Sequence, residues 1–353
     1  MRVVICHPGL SGYFAACWRA LSREPGFELF ILAQQAKGTD TPFDEALMAG
    51  LPHRLLSPSE RESFAIVKSI VIEQRPDVLV IPGWYFDAYT RLAFDSSMTN
   101  CPVVVTADTS LSRSWRQHLA RYRLRPLIRR ASAFVTPGER GFQFWRFIGA
   151  PERKIHRALL GVDYESLAGL LPTRMSVPAG WPRRFLFLGR YVPVKAIDVL
   201  VEAYGQYRTA VSEPWPLTTC GSGPQALLLK DQPGIDDRGF IQPQCIGSVM
   251  ADSGVFVLPS RFEPWGQVIP EACAAGLPVI ASSVCGSGVE LIRPYYSGLF
   301  VPSDDPEALA EAMRWFHEHH ADLPTMGRHA QALAEPFSAA AWARRWAEML
   351  RSL

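Results

Sequence analysis

The chain reads as two doubly wound α/β domains in tandem, and three observations predict this. Short apolar runs of strand length alternate with helical stretches along most of the 353 residues. The runs are almost continuously apolar, as strands of a parallel sheet covered on both faces must be. The alternation falters once, near the middle, and then restarts. A chain of this length can bury a core in each of two ordinary domains. Its hydrophobic share of 48% is that of a folded protein, and its charged share of 20% argues against disorder.

Residues 3–6 open as a strand and 13–21 follow as a helix, with the glycine-containing loop His7-Pro8-Gly9-Leu10-Ser11-Gly12 between them. Residues 29–32 are a second strand. A helix over 64–74 leads through Arg75-Pro76-Asp77 into a strand at 78–81, and strands at 103–105 and 133–135 complete the first sheet. The pattern fails between about 167 and 184, where Leu-Pro, Val-Pro-Ala-Gly and Trp-Pro-Arg-Arg disfavour both helix and ladder. It resumes with a strand at 185–188, a helix at 196–207, a strand at 217–220 and a short strand at 238–241. A strand at 255–258, a helix at 268–275 stopped by Gly276 and Pro278, and a strand at 279–281 come next. Asp305-Pro306-Glu307 starts a helix with an N-cap and an N1 proline. Residues 338–353 form a last helix rich in Trp and Arg. The expected domains are 1–170 and 183–336, with the helix over 337–353 packing back on the first.

The net charge of +2 hides an asymmetry: residues 1–160 carry 21 Lys and Arg against 14 Asp and Glu, the remainder 15 against 20. The basic excess gathers in residues 112–130, where seven arginines interleave with Trp115, Tyr122 and Leu127. Such a segment is either an interfacial helix meeting anionic lipid or an anionic acceptor, or a solvated helix face broken by Pro126. A net charge near zero speaks against nucleic acid. Seven cysteines without a Cys-x-x-Cys pair speak against a disulfide framework or zinc site and for a reducing compartment. The start runs directly into a strand without a signal-peptide core, and no apolar run approaches the roughly 18 residues of a spanning helix. The expected location is the cytoplasm, with the inner membrane face as the place where the basic segment would act.

Two motifs carry chemistry. In the first, a strand ends at Leu188, Gly189 lets the backbone turn closely, and Arg190 and Lys195 flank a helix start. Two cations there oppose the helix dipole, so a bound anion explains them better than solvation does. A planar Arg fork and a mobile Lys charge suit a diphosphate. In the second, Glu263 and Glu271, with seven residues between them, sit in SRFEPWGQVIPEACAAGLPVIAS. Glu263 falls in a strand-to-helix loop and Glu271 on the following helix. In open α/β sheets such loops bind ligands. A carboxylate repels phosphate but accepts hydrogen bonds from hydroxyls. Basic and acidic groups in one site suit a sugar nucleotide, whereas spacing alone fits equally a pair on a solvated face. Gly221-Ser222-Gly223-Pro224 is a further strand-end glycine loop. Gly-x-Gly-x-x-Gly is missing after the first strand, which argues against an NAD-dependent oxidoreductase.

In this order, Gly189-Arg190-x4-Lys195, the Gly-Ser-Gly-Pro loop, Gly239-Phe240 and Glu263-Pro264-Trp265-Gly266-x4-Glu271-Ala272 before Gly276-Leu277-Pro278 resemble family four of the retaining GT-B glycosyltransferases. The likeness covers residues 185–305 nearly continuously, and the first half matches only in strand pattern and in its first glycine loop. It implies two Rossmann-like domains facing a cleft. It implies Arg190 and Lys195 on the diphosphate of a nucleotide-sugar donor, Glu263 on the sugar hydroxyls and Glu271 on the ribose. Gly12, Gly189, Gly221 and Gly223 would approach the donor closely, Trp265, Gly266 and Gln267 would present amides to it, and Phe240 and Ile241 would meet the base. The family works without an essential metal, in keeping with the lack of an Asp-x-Asp site here, so no cofactor is expected beyond the donor substrate.

The sequence departs from the family where a histidine often follows the strand that here ends in Val105-Thr106. Here Ala107-Asp108-Thr109 stands instead. Asp108 is either a polar group near the reacting centre or an N-cap or Asx-turn residue. His7 is either a sugar contact or structural. The expected function is transfer of a sugar from a nucleotide donor to a saccharide or lipid-linked acceptor in cell-surface polysaccharide or glycoconjugate synthesis. The alternative is a catalytically idle partner protein that kept a sugar-nucleotide site.

Overall fold

The computed structural model describes residues 1–35, 43–176 and 180–353, which fall into two compact units, residues 1–161 with 339–353 and residues 162–338. The first unit runs β1 (Arg2–His7), α1 (Gly12–Ser22), β2 (Glu28–Gln34), β3 (His53–Leu56), α2 (Pro58–Glu62), α3 (Phe64–Glu73), β4 (Val78–Pro82) and α4 (Asp87–Leu92). It continues with β5 (Val103–Thr106), α5 (Trp115–Arg123), α6 (Arg125–Arg130), β6 (Ala133–Thr136), α7 (Glu139–Ile148) and β7 (Ile155–Arg157). Its seven strands are parallel in the order β3-β2-β1-β4-β5-β6-β7. The order reverses between β1 and β4, so the loops after those strands diverge there and leave a crevice at the carboxyl edge.

In the second unit α8 (Tyr164–Ala168) and α9 (Leu170–Met175) precede β8 (Phe185–Leu188), α10 (Ile197–Ala210), β9 (Leu217–Cys220), β10 (Ile235–Asp237) and α11 (Ile246–Ala251). Then come β11 (Val255–Leu258), α12 (Val268–Ala274), β12 (Val279–Ser282), α13 (Gly286–Leu291), β13 (Gly298–Val301), α14 (Pro306–Glu318) and α15 (Leu323–Ala334). The sheet is again parallel, ordered β10-β9-β8-β11-β12-β13, and its switch point lies between β8 and β11. The four residues of each of β8, β9, β11 and β12 are buried, which explains their unbroken apolar or small-residue composition. Asp305 caps α14 by accepting a hydrogen bond from the Ala308 N–H at 2.9 Å, with Pro306 opening the helix.

The final helix, α16 (Ala339–Arg351), belongs to the first unit and packs on α1. Its buried Trp342 and Trp346 donate indole N–H bonds to the carbonyls of Leu159 (3.0 Å) and Ala158 (2.7 Å). Those carbonyls lie just past β7 and have no ladder partner of their own, so the two indoles satisfy them.

Several details differ from the sequence reading. The stretch read as a linker over 167–184 contains the end of α8 and all of α9, whose Arg174 is buried and donates to the carbonyls of Ala275 (2.8 Å) and Met250 (2.6 Å). Pro172 sits inside α9 near its start, where a missing N–H is harmless. Val177, Pro178 and Ala179 of that stretch lie outside the described residues. The strand expected over 238–241 is instead Ile235–Asp237, because Gly239 takes φ +65° and ends the extended run. Strands β3 and β7 carry too few apolar residues for periodicity to expose them, and β13, Gly-Leu-Phe-Val, is an apolar run that the sequence reading left out.

Candidate functional site

At the switch point of the second sheet the loops after β8 and β11 run side by side. The Arg261 N–H donates to the Val194 carbonyl at 2.8 Å. The Arg261 guanidinium grips Asp198 with two bonds of 2.8 and 2.7 Å, reaches Asp304 at 2.8 Å and also bonds the Pro193 carbonyl at 3.0 Å. These bonds hold the Asp198 carboxyl below the usual carboxylate range and push the guanidinium further up. Arg261 therefore joins the Glu263 loop to the Lys195 loop. Spacing gave no sign of this role, although the residue stands inside the motif.

This join brings Lys195 and Glu263 together as an ion pair, with the two side chains only 15% and 11% exposed. Neither is a solvated surface charge. Arg190 is exposed, and it makes no hydrogen bond or ion pair among the described residues. Lys195 of the pair and the free arginine lie on one loop, Gly189 to Lys195, which leads into α10. Ala196, in the left-handed region at φ +57°, caps that helix without a side-chain bond, so its first N–H groups are not capped by side chains.

The glycine loop after β9 is fixed by contact with this same segment. Tyr191 N–H donates to Ser222 at 2.7 Å, Gln225 N–H to Tyr191 at 3.0 Å, and Gly221 N–H to Gly239 at 2.8 Å. A Cβ on Gly221 would overlap the Gly189 carbonyl and the Tyr191 ring, and one on Gly223, at φ +146°, would strike the Tyr191 backbone. Only glycine allows that approach. The buried Tyr191 phenol donates to Asp237 at 2.6 Å, locking the β8 loop to the end of β10. Phe240 and Ile241 follow in the next loop, half-buried. Tyr191 and Asp237 carry no motif signal, and sequence reasoning missed both.

Around Glu263 the chain turns sharply. Gly266 has φ +88°, and the Ser287 hydroxyl bonds the carbonyls of Trp265 (2.8 Å) and Gly266 (2.9 Å). The Trp265 indole donates to Gln267 at 3.2 Å. Glu271 sits in the first turn of α12, half-buried, with no hydrogen bond or ion pair to its carboxyl among the described residues. Burial, with the Asp163 charge adding to it, pushes its carboxyl up to about 8. At neutral pH it holds its proton. The two glutamates thus share a motif but not a charge state.

In the first unit His7, Pro82, Thr106 and Asp108 line a cavity of about 370 Å3 at the carboxyl ends of β1, β4 and β5, with Tyr13, Phe14 and Tyr85 supplying much of its wall. His7 keeps a 2.6 Å bond between Nδ1 and the Gly9 carbonyl and packs edge-on to Phe14 and Trp18. Burial lowers it to about 4, so it is neutral. Asp108 is exposed and caps no helix, since α5 begins only at Trp115 behind Ser114. Gly12 is the first residue of α1, and the buried Ser11 hydroxyl at its N-cap has no partner among the described residues. The structure therefore gathers Gly189, Arg190, Lys195, Gly221, Gly223, Glu263, Trp265, Gly266, Gln267 and Glu271 in the second unit, and Gly12, His7 and Asp108 in the first. Among the described residues no group of three or more His, Cys, Asp or Glu side chains is placed to hold a metal ion.

A doubly wound unit with cations, close-approach glycines and carboxyls at its switch point defines a class of nucleotide-sugar-binding α/β proteins. Residues 182–319 match the family described as Glycosyl transferases group 1, and the chain has the GT-B fold. A D-inositol 3-phosphate glycosyltransferase of Streptomyces bingchenggensis is 34% identical over 241 residues, covering 62% of this chain and 48% of the relative. The chain thus spans about half the length of that curated relative. Two solved structures align over the whole chain. Anabaena HepE, crystallised with UDP and glucose, has a TM-score of 0.75 at 18% identity and is covered over 100% of its length. The lipopolysaccharide outer core galactosyltransferase WaaB has a TM-score of 0.70 at 14% identity and is covered over 99%. At these identities the likeness concerns the fold.

Proposed function

We propose that the chain is a retaining, metal-independent glycosyltransferase. It moves a sugar from a nucleoside diphosphate sugar to a saccharide or lipid-linked acceptor in the synthesis of a cell-surface polysaccharide or glycoconjugate. The observation that carries this reading is the Lys195–Glu263 pair, largely buried at the switch point beside unpaired Arg190 and the Gly221–Gly223 loop. Lys195 and Arg190 take the diphosphate and stabilise its charge as the bond to the anomeric carbon breaks. Glu263 accepts from sugar hydroxyls and Glu271 from the ribose. The loops of Trp265–Gln267 and Phe240–Ile241 contact sugar and base. The cavity of the first unit, with Asp108 at its rim, takes the acceptor. The names of the relatives, among them an inositol phosphate glycosyltransferase and a galactosyltransferase, support a hydroxyl acceptor.

The basic segment belongs to the same proposal. Helix α5 buries no residue and exposes Trp115, Leu119 and Tyr122 by 68%, 50% and 67% at spacings of four and three, so one face offers an apolar stripe flanked by arginines. No described helix is long and apolar enough to cross a membrane.

A thermal-shift screen of UDP-, GDP- and ADP-sugars tests the donor reading, since a ligand bound only by the native state raises Tm. One family of nucleotides is expected to stabilise the protein, and Lys195→Ala to abolish the effect. Stabilisation by no nucleotide or nucleotide sugar would overturn it. Slow donor hydrolysis by the wild type, lost in the variant, distinguishes an enzyme from an idle binding protein.

A further inference from the structure

A cavity of about 580 Å3 lies where α5, α6 and the turn after α7 meet; Tyr122 of the exposed α5 stripe stands in its wall, but the transfer reaction proposed above makes no use of it. Arg121, Arg125, Arg129, Arg153 and Lys154 line it, and no carboxylate does. The first three follow one another at four-residue intervals, and Leu124 between the helices keeps right-handed helical angles, so the arginines fall on one side. Ile128 and Ile148 form an apolar floor. Lys154 is held in place by a 2.7 Å bond to the Ala131 carbonyl.

Arg121, Arg125, Arg129 and Arg153 make no ion pair or hydrogen bond among the described residues. Five other exposed arginines of this unit are matched, Arg2 with Glu28, Arg54 with Glu60, Arg91 with Asp87, Arg146 with Glu152 and Arg157 with Glu139. Arg23, Arg75, Arg113, Arg116, Arg123 and Arg344 stand singly in solvent without an ion pair among the described residues, so what sets the pocket apart is the convergence of its cations on one volume. Helix ends account for part of the cluster, because Arg121 and Arg129 stand in last turns, where the dipole favours a cation. Arg125 opens α6, the unfavourable end, and Arg153 lies in a short turn. Five like charges around one volume repel one another, and a multiply charged anion removes that repulsion. Planar guanidinium forks match phosphate oxygens in particular.

The position separates this cavity from the reaction loops. Helix α6 leads into the start of β6, and Gly149 and Pro151 into the start of β7, so it lies at the amino edge of the sheet. The cavity with His7 and Asp108 lies at the carboxyl edge. The geometry points to a second ligand site, a pocket for a phosphate-bearing anion at the amino ends of β6 and β7. Its volume is that of an ordinary small-ligand site. The site does not depend on the donor assignment.

Calorimetric titration of the whole protein with inorganic pyrophosphate tests it, with UDP as control. The wild type is expected to bind two equivalents, one at the donor site and one here. Arg125→Ala/Arg129→Ala is expected to lose one equivalent, or weaken it by roughly tenfold or more, with UDP affinity and Tm unchanged, since both side chains are exposed. A parallel arm measures retention on phosphatidylcholine vesicles with and without phosphatidic acid. Retention that needs phosphatidic acid, falls in the variant and is reversed by pyrophosphate assigns the pocket to a lipid headgroup. Pyrophosphate binding without retention assigns it to a soluble phosphate. Equal pyrophosphate stoichiometry and affinity in the wild type and the variant, together with equal vesicle retention by both proteins, overturns the proposal, whereas a single equivalent that the variant loses leaves it standing and counts against the donor site.

Discussion

Glu271 gives the sharpest test of the site's electrostatics. Its carboxyl rises from 4.5 to about 8 through burial and the neighbouring Asp163. The native state therefore binds this proton more tightly than the unfolded chain does. Stability is fullest below pH 4.5 and is lost as pH rises toward 8, the reverse of the common salt-bridged carboxylate. The displacement corresponds to about 5 kcal/mol if fully realised, and solvent at the half-exposed edge relaxes it to about 2 kcal/mol. Glu271→Gln removes the titrating proton at nearly constant shape. Near pH 4, below the ordinary value of 4.5, the two proteins should unfold alike, because each then carries an uncharged polar group in both the folded and the unfolded state. At pH 9 the variant should be more stable by about 2 kcal/mol, which for a unit of this size raises Tm by about 4–8 °C. Asp163→Asn should reproduce part of the gain. Calorimetric scans at half-unit pH steps read the divergence. Parallel melting curves for wild type and variant from pH 5 to 9 would refute the reasoning.

The same group gives a second signature once a nucleotide binds. Hydroxyls that donate to Glu271 favour its ionised form, so binding should expel a proton. UDP affinity of the wild type should rise with pH between about 6 and 8, while Glu271→Gln binds more weakly and loses that part of the slope. Titrations in buffers of different ionisation enthalpy count the proton directly, and proton release of equal size in wild type and variant would exclude Glu271 as the source.

Three further outcomes follow from contacts described above. Gly221→Ala drives a methyl into the Gly189 carbonyl and the Tyr191 ring. It should cost about 1–3 kcal/mol and weaken UDP binding by more than tenfold, as read by denaturant unfolding and calorimetry. Unchanged values would mean that the loops part freely. Arg261→Lys cannot hold Asp198 through two bonds and reach Asp304 as well. It should lower the Tm of the second unit by a few degrees and raise the Kd for UDP, and an unaltered Kd would show that the tie does not position Lys195. Trp346→Phe leaves the Ala158 carbonyl without its indole partner. It should destabilise the first unit by about 1–2 kcal/mol with UDP affinity unchanged, so a loss of UDP binding would contradict the assignment of α16 to that unit.

How much of this was legible in the sequence depended on how each residue acts. Strands β8, β11 and β12 were legible because they are buried on both faces and admit little but apolar or small residues. Strand β10, with the sequence Ile-Asp-Asp, was misplaced because its pairing is set by backbone bonds to β9 rather than by side-chain burial. Glycines at close approaches were legible, since a Cβ there meets backbone. Arg261, Tyr191 and Asp237 were not, because they act through partners 30 or more residues away, such as Asp198 for Arg261 and Asp237 for Tyr191. The two glutamates show the limit most clearly. Spacing put them in one motif, yet the fold neutralises them by different means: Glu263 by the ammonium of Lys195, Glu271 by a retained proton. Under the proposed function, a carboxyl that must give up a proton to accept hydroxyls, and a carboxylate that must share its lysine with a diphosphate, would both resist the donor until its own groups take over. That resistance is an energetic property of the assembled loops, and no residue spacing encodes it.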